Sequence, residues 1–284
     1  MKRLTIRDIQ KMKDDKQAIP MLTAYDAMSA RIAESANIPM ILVGDTLGMV
    51  VQGHDSTIPV TLEHMIYHCE IVSRVTKRPL IVGDLPFMTY SISQEQALEN
   101  SGQLIQKAGV SAVKLEGGET VAPTIKRIVD AGIPVMAHIG LTPQSVNQFG
   151  GFRVQGKQLE SARQLIRDAE AVQAAGAFAV VLELVPAKLA QIITDKLHIP
   201  TIGIGAGAAC DGQVQVFHDI LALFDDFIPK HTKRYANLGD MMRAAVSQYA
   251  DEVLHGEFPT EENAFGMSDE VIAALEDEKV HAHS

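Results

Sequence analysis

PLIVGDLPFMTYSISQEQALENSGQLIQKAGVSAVKLEG, residues 79–117, contains the unit whose reading decides the fold. It opens on an apolar run, Pro79 to Asp84, that ends in Gly-Asp. It closes on a second run, Ser111 to Gly117, that carries Lys114 and Glu116 two residues apart. A half-exposed strand would alternate apolar and polar residues; these runs do not, so each reads as a strand buried on both faces. Between them, Ser93 to Ala108 has helical period and starts Ser-x-x-Gln, a pattern in which Ser93 and Gln96 satisfy the first free amides. Gly109 then stands where a helix end calls for positive φ, and the chain restarts as strand.

The same pattern extends in both directions. PMILVGD (Pro39 to Asp45), PVMAHIG (Pro134 to Gly140), FAVVLEL (Phe178 to Leu184) and PTIGIGAG (Pro200 to Gly207) are further buried-strand runs. Thr61 to Val75 opens with a Thr cap and sets Leu62, Met65, Ile66, Cys69 and Val72 on one helical stripe. Lys157 to Ala175 and Pro186 to Leu197 read as helices of the same kind. Ala18 to Ala24 near the start and Asp226 to Pro229 near the end bring the strand count to eight, with Tyr235 to His255 as a last long helix. Eight such units predict an α/β fold, a (β/α)8 TIM barrel. The alternative is a doubly wound open sheet, but the runs are equally apolar and none stands out as an edge strand. The expected division is one barrel domain over 1–262 and an acidic tail over 263–284.

Composition narrows the partners. A formal charge of −10 argues against a nucleic-acid backbone or an anionic membrane, although a lysine or metal ion can reverse the sign inside a cleft. The start, MKRLTIRDIQKMKDD, has no apolar signal region, and no run approaches the ~18 apolar residues of a membrane span. Cys69 and Cys210 stand far apart and outside any C-x-x-C pattern, so a reduced, cytoplasmic protein is expected.

The strand runs end in ionisable groups: Asp45, Asp84, Lys114, Glu116, His138 and Glu183. In α/β enzymes the C-terminal ends of parallel strands build the site, so these groups should converge. Asp45, Asp84 and Glu116 form an all-oxygen set suited to Mg²⁺ rather than Zn²⁺. The plainer reading makes the two aspartates helix caps. Lys114 and Glu116 share one strand face and enter the barrel mouth, or else form a buried ion pair. Glu183, between leucines, suits a general base, and His138 reads as a polar contact, a proton carrier or a structural barrel histidine. His64 and His68 have metal-like spacing but lack the Glu of H-E-x-x-H, so a helix-surface or core role is favoured. The glycines of GIGAG (203–207) either cradle a phosphate or relieve crowding at the mouth. G-x-S-x-G and Walker A patterns are absent.

Longer motifs carry a family resemblance. VGDTLGMVVQGHDSTIPVTLEHMIYH (43–68), KLEGG (114–118), AGIPVMAHIGLTPQSVNQFGGFRVQGK (131–157), VLELVPAKLA (181–190), IPTIGIGAGAACDGQVQVFHD (199–219) and FPTEENAF (258–265) resemble ketopantoate hydroxymethyltransferases over roughly Leu4 to Phe265. The resemblance implies transfer of a one-carbon unit from 5,10-methylenetetrahydrofolate to 3-methyl-2-oxobutanoate, a 2-oxo acid, giving 2-dehydropantoate for pantothenate synthesis. It implies Mg²⁺ on Asp45, Asp84 and Glu116, and substrate contacts at Asp45, Thr46, Asp84 and Lys114, with Glu183 as proton acceptor. His138 is added as a polar contact at the mouth. One departure concerns residue 46, where the family usually has Ser: Thr46 keeps the hydroxyl but adds a methyl. A cytoplasmic homodecamer is also implied. A Schiff-base aldolase or lyase acting on a 2-oxo acid through Lys114 is the competing expectation, since it would need no metal.

Overall fold

The structure is a computed structural model and describes residues 2–149, 151, 153–224 and 228–281. Eight parallel strands close into a barrel in chain order: β1 (Ile19–Thr23), β2 (Met40–Val43), β3 (Leu80–Asp84), β4 (Ala112–Glu116), β5 (Val135–Gly140), β6 (Ala179–Glu183), β7 (Thr201–Ile204) and β8 (Gly212–Gln215). β1 meets β8 in parallel register from Ile19↔Gly212 to Leu22↔Gln215. Every strand therefore has two neighbours and no edge is left unpaired.

Seven of the eight strands lie where the apolar runs place them. The eighth does not: Gly212–Gln215 completes the barrel, and the expected strand over 226–229 is wrong. Residues 226 and 227 lie outside the described residues, and Ile228 and Pro229 have no regular structure. GQVQ is short and half polar, and only residues 205–211 separate it from β7, with no helix between. A parallel crossover usually takes a dozen or more residues, so neither spacing nor apolar pattern marks this segment as a strand.

The helices begin and end where their caps predict. Leu62–Val75 starts behind Thr61, whose Oγ1 accepts from the His64 amide at 3.2 Å. Gln94–Ala108 starts behind Ser93, whose hydroxyl accepts from the Gln96 amide at 3.1 Å, and ends on Gly109 at φ +68°. Gln96 returns its Oε1 to the amide of Ile92 instead of Ser93.

Alternation along each strand divides two cores. Met40, Leu42, Leu80, Val82, Ala112, Met136, Val181, Ile202 and Val214 fill the barrel, while Ile41, Val43, Ile81, Val113 and Leu115 pack toward the helices. Ile9, from the helix Ile6–Asp14, joins the inner set. That helix holds to the N-terminal ends of the strands: Lys13 Nζ donates to the carbonyls of Leu197 and Ile199, just before β7. With one end stoppered and the interior packed, the strands' C-terminal ends are left to form the site.

The chain divides into two compact units, Met1–Ala236 and Asn237–Ser284. The second contains the helices Leu238–His255 and Asp269–His281. Among the described residues, no helix is long and apolar enough to cross a membrane.

Candidate active site

Since Val113 and Leu115 turn to the helices, Lys114 and Glu116 turn inward from β4. Strand register sets their neighbours. Asp84 of β3 lies opposite Lys114, and Glu116 lies opposite His138 of β5. Gly140 of β5 lies opposite Glu183 of β6. Asp45 and Thr46 follow the end of β2, and the Asp45 amide donates to Asp84 Oδ2 at 3.0 Å. All six ionisable groups expected at the strand ends thus meet, and all but Glu183 are buried.

The contacts run as one chain around the mouth. Lys114 Nζ lies 2.7 Å from Asp84 Oδ1 and 3.4 Å from His138 Nδ1. His138 Nδ1 lies 3.4 Å from Glu116 Oε1, and its Nε2 lies 3.2 Å from Glu183 Oε2. Thr46 Oγ1 and the Tyr25 hydroxyl share a 2.7 Å hydrogen bond. Gln144, just beyond β5, ties three strand ends together. Its Nε2 donates to Asp45 Oδ2 at 2.8 Å and to the Leu85 carbonyl at 3.0 Å, and its backbone amide donates to Glu116 Oε2 at 3.0 Å. Tyr90 donates its hydroxyl to Gln144 Oε1 at 2.8 Å and accepts from the Glu116 amide at 3.3 Å.

Crowding of charge sets the proton affinities. Burial, with Asp84 and Glu116 close by, pushes the Asp45 carboxyl well above the usual carboxylate range. Burial also raises Asp84, and Lys114 only partly offsets it. At Glu116 burial acts in the same direction, but the hydrogen bond and charge of His138 outweigh it and hold the carboxyl low. Burial and Lys114 push His138 down, yet Glu116 and Glu183 carry it up to about 9, so the ring is an imidazolium at neutral pH. Burial likewise opposes the Lys114 charge, and Asp84, Glu116 and Asp45 hold the ammonium above its ordinary value.

The donor set fits a divalent cation. Fully ionised, four carboxylates face only Lys114 and protonated His138, leaving an excess of two negative charges. Asp84 Oδ1 is buried with no aligned hydrogen-bond donor, despite the nearness of Lys114. Among the described residues no three His, Cys, Asp or Glu side chains close on one point. Mg²⁺ does not require that, because it is held by one or two carboxylates with water or substrate oxygens completing the shell. Asp45 and Asp84 could supply the two. Glu116 already has Gln144 N and His138 on its two oxygens, one rank behind them.

Two cavities open over these groups. An inner one of about 50 Å³ is lined by Asp45, Asp84, Lys114, Glu116 and His138. An outer one of about 610 Å³ is walled by Met49, Val50, Val154, Val185, Ile204 and Phe224. Thr46 and Glu183 line both, so they stand at the divide. Glu183 has 15% of its side chain exposed, and its Oε1 has no hydrogen-bond partner among the described residues.

The remaining expected features take structural roles. His64 Nδ1 accepts from the Thr61 amide and His68 Nδ1 sits 2.6 Å from the Tyr25 carbonyl, so both serve local structure. A Cβ at Gly207 would lie 2.5 Å from that of Ala187, which supports the crowding reading of GIGAG. Gln144, Tyr90 and Tyr25 were not singled out from the sequence; polar residues in irregular segments carry no periodic signal there.

A closed parallel barrel with a lysine, a histidine and a ring of carboxylates at its strand ends is the architecture of a (β/α)8-barrel enzyme. The family described as ketopantoate hydroxymethyltransferase matches residues 3–261. A 3-methyl-2-oxobutanoate hydroxymethyltransferase of Chloroflexus aurantiacus is 60% identical over 272 residues, covering 96% of each chain. One of Dehalococcoides mccartyi is 59% identical over 273 residues, 96% of this chain and 98% of the relative. Among solved structures, 2,3-dimethylmalate lyase, of the PEP mutase/isocitrate lyase superfamily, aligns with a TM-score of 0.59 at 17% identity over 99% of both chains, a shared fold. The chain belongs to the ketopantoate hydroxymethyltransferase family and is a one-carbon transferase.

Proposed function

We propose that the protein transfers a one-carbon unit from 5,10-methylenetetrahydrofolate to 3-methyl-2-oxobutanoate, giving 2-dehydropantoate for pantothenate synthesis. The observation that carries this reading is the position of Glu183, at the divide between a small charged cavity and a large apolar one. The 2-oxo acid belongs in the inner cavity. Lys114 meets its anionic end, and Thr46, held by Tyr25, offers a hydroxyl. Bound Mg²⁺ on Asp45 and Asp84, with Glu116 behind them, would supply Lewis-acid polarisation of the keto oxygen.

Glu183 removes the C3 proton through the carboxylate oxygen that His138 leaves free. Protonated His138 lies 3.2 Å from the other oxygen, not aligned for a hydrogen bond, and draws it by charge. Lys114 and His138 balance the charge that builds on the enolate oxygen. The new C–C bond forms between C3 and the donor's methylene carbon, and that carbon's bonds to the folate nitrogens break. Water supplies the hydroxyl oxygen, and tetrahydrofolate leaves with a proton on each freed nitrogen, one from that water and one equivalent to the C3 proton taken by Glu183.

A Schiff base at Lys114 requires a neutral amine. The carboxylates around this lysine hold the ammonium charged, which disfavours that route. The test is deuterium exchange at C3 of 3-methyl-2-oxobutanoate with no folate present. Exchange should require Mg²⁺ and disappear in Glu183→Gln. Exchange that persists with chelator or in the variant overturns the mechanism, and a borohydride-trapped adduct would favour the Schiff base.

We also infer that the enzyme works as a homo-oligomer, a decamer by family resemblance. The helix Leu238–His255 exposes Met241, Met242, Val246, Tyr249 and Leu254, an apolar face of the kind that subunit contacts cover.

A further inference from the structure

We propose that Asp219 reads the one-carbon donor, its carboxylate accepting two parallel hydrogen bonds from the amino and ring N–H edge of an aminopyrimidinone in the outer cavity. This rests on the folate-donor reading above.

The outer cavity, at about 610 Å³, falls in the size range that takes a heterocyclic ligand, and its walls are largely apolar. Such walls receive the faces of a flat ring but cannot choose among rings; choice requires a polar group placed at the ring's edge. Asp219 lines this cavity with only 9% of its surface exposed. No described residue gives its carboxylate a hydrogen bond. The carboxylate is largely withdrawn from water while its oxygens still open onto the cavity, so N–H donors on a bound ring can satisfy it. Burial pushes the carboxyl up to about 6, against the pull of Arg234.

Capping does not explain the residue. Asp219 is the third residue of the short helix Phe217–Ile220, and its side chain caps no amide. The segment is held firmly on both sides. The Phe217 amide donates to Thr23 Oγ1 of β1 at 2.9 Å, and the His218 ring lies against Tyr25 with centroids 5.5 Å apart. A carboxylate so held is positioned before the ligand arrives.

The cavity's other polar groups suit different tasks. Thr46 and Glu183 face the inner site. Thr57 and His231 each present single donors or acceptors, and Lys230 presents no acceptor at all. Only a carboxylate offers two coplanar acceptors matched to adjacent N–H donors.

The test is isothermal titration of wild type, Asp219→Asn and Asp219→Ser, all with Mg²⁺, using three probes: tetrahydrofolate, its 2-desamino-2-methyl analogue and 3-methyl-2-oxobutanoate. Wild type should bind tetrahydrofolate at least tenfold more tightly than the analogue. Both variants should lose at least tenfold in tetrahydrofolate affinity and bring the ratio close to one, with oxo-acid affinity within twofold. Discrimination that survives in both variants, or an equal loss for all three probes, overturns the assignment while leaving the donor reading intact. No tetrahydrofolate binding by wild type overturns both.

Discussion

Replacing Gln144 with leucine tests whether the polar residues behind the carboxylates set the affinity of the cation site. The amide has only one workable orientation, because Asp45 Oδ2 and the Leu85 carbonyl on its nitrogen side are both acceptors and Tyr90 on its oxygen side can donate. Leucine keeps the volume and removes all three side-chain bonds. Loss of the bond to ionised Asp45 costs about 1.5–3 kcal/mol, and leaving the Leu85 carbonyl without a donor and the Tyr90 O–H without an acceptor adds roughly 1 kcal/mol each. Stability should therefore fall by about 3–5 kcal/mol. The cation is affected separately. Asp45 already holds its proton too readily, through burial and through Asp84 and Glu116, and loses the donor that favours its charged form. The proton then competes better with the metal, and the carboxylate is no longer fixed in direction. Outer hydrogen-bond partners of this kind are worth about 10–100-fold in metal affinity. Titration calorimetry with Mg²⁺, run beside urea denaturation, reads both effects. A variant destabilised as calculated but with unchanged Mg²⁺ affinity would refute the reasoning.

Other perturbations have equally definite outcomes. His138 has its folded pKa at about 9, above the unfolded value near 6.5, so its charge stabilises the metal-free fold fully below about pH 6.5 and that contribution fades as pH rises through 9. It amounts to about 3 kcal/mol, so wild-type urea midpoints should fall across this window and those of His138→Gln should not; parallel curves would contradict it. Gly140→Ala places a Cβ 2.2 Å from the Glu183 carbonyl at φ +97°, a backbone collision beside the proposed base. The cost should be about 3 kcal/mol or more, read as a Tm drop on the order of 10 °C, and an unchanged Tm would be inconsistent with the packing described. Thr46→Ser keeps the hydroxyl bonded to Tyr25 and removes one methyl, worth about 0.8 kcal/mol, so KM for 3-methyl-2-oxobutanoate should fall by no more than about fourfold. A change beyond about tenfold would mean that the methyl does more than occupy space.

The residues legible in the sequence were those whose character contradicts their surroundings. Asp45, Asp84, Lys114, Glu116, His138 and Glu183 each interrupt or end an apolar run, and a charge in a doubly buried strand has few places to go except the barrel mouth. Period two then fixed that Lys114 and Glu116 share a face, as the register with Asp84 and His138 bears out. Gln144 and Tyr90 contradict nothing locally. Their importance comes from hydrogen bonds to residues 99 and 26 positions away, which no local pattern encodes. β8 was missed for the opposite reason: GQVQ looks like a loop because its neighbours, not its own side chains, make it a strand.

The closed strand order has a consequence for how such an enzyme can change. The ionisable groups occupy one continuous arc of the ring, from the end of β2 to the end of β6. The outer cavity draws Gly205, Asp219 and Phe224 from the complementary arc of β7 and β8 and the segments that follow them, and Met49, Val50 and Val185 from segments that follow β2 and β6. The divide, formed by Thr46 and Glu183 with Pro143, Ile204 and Val216, belongs to both. Mutations at Gly205, Asp219 or Phe224, which line the outer cavity alone, can thus alter which carrier is admitted without touching the charged groups of the inner one. The lining that touches only the outer cavity is open to selection apart from the charged groups, so the inner chemistry can outlast a change of co-substrate.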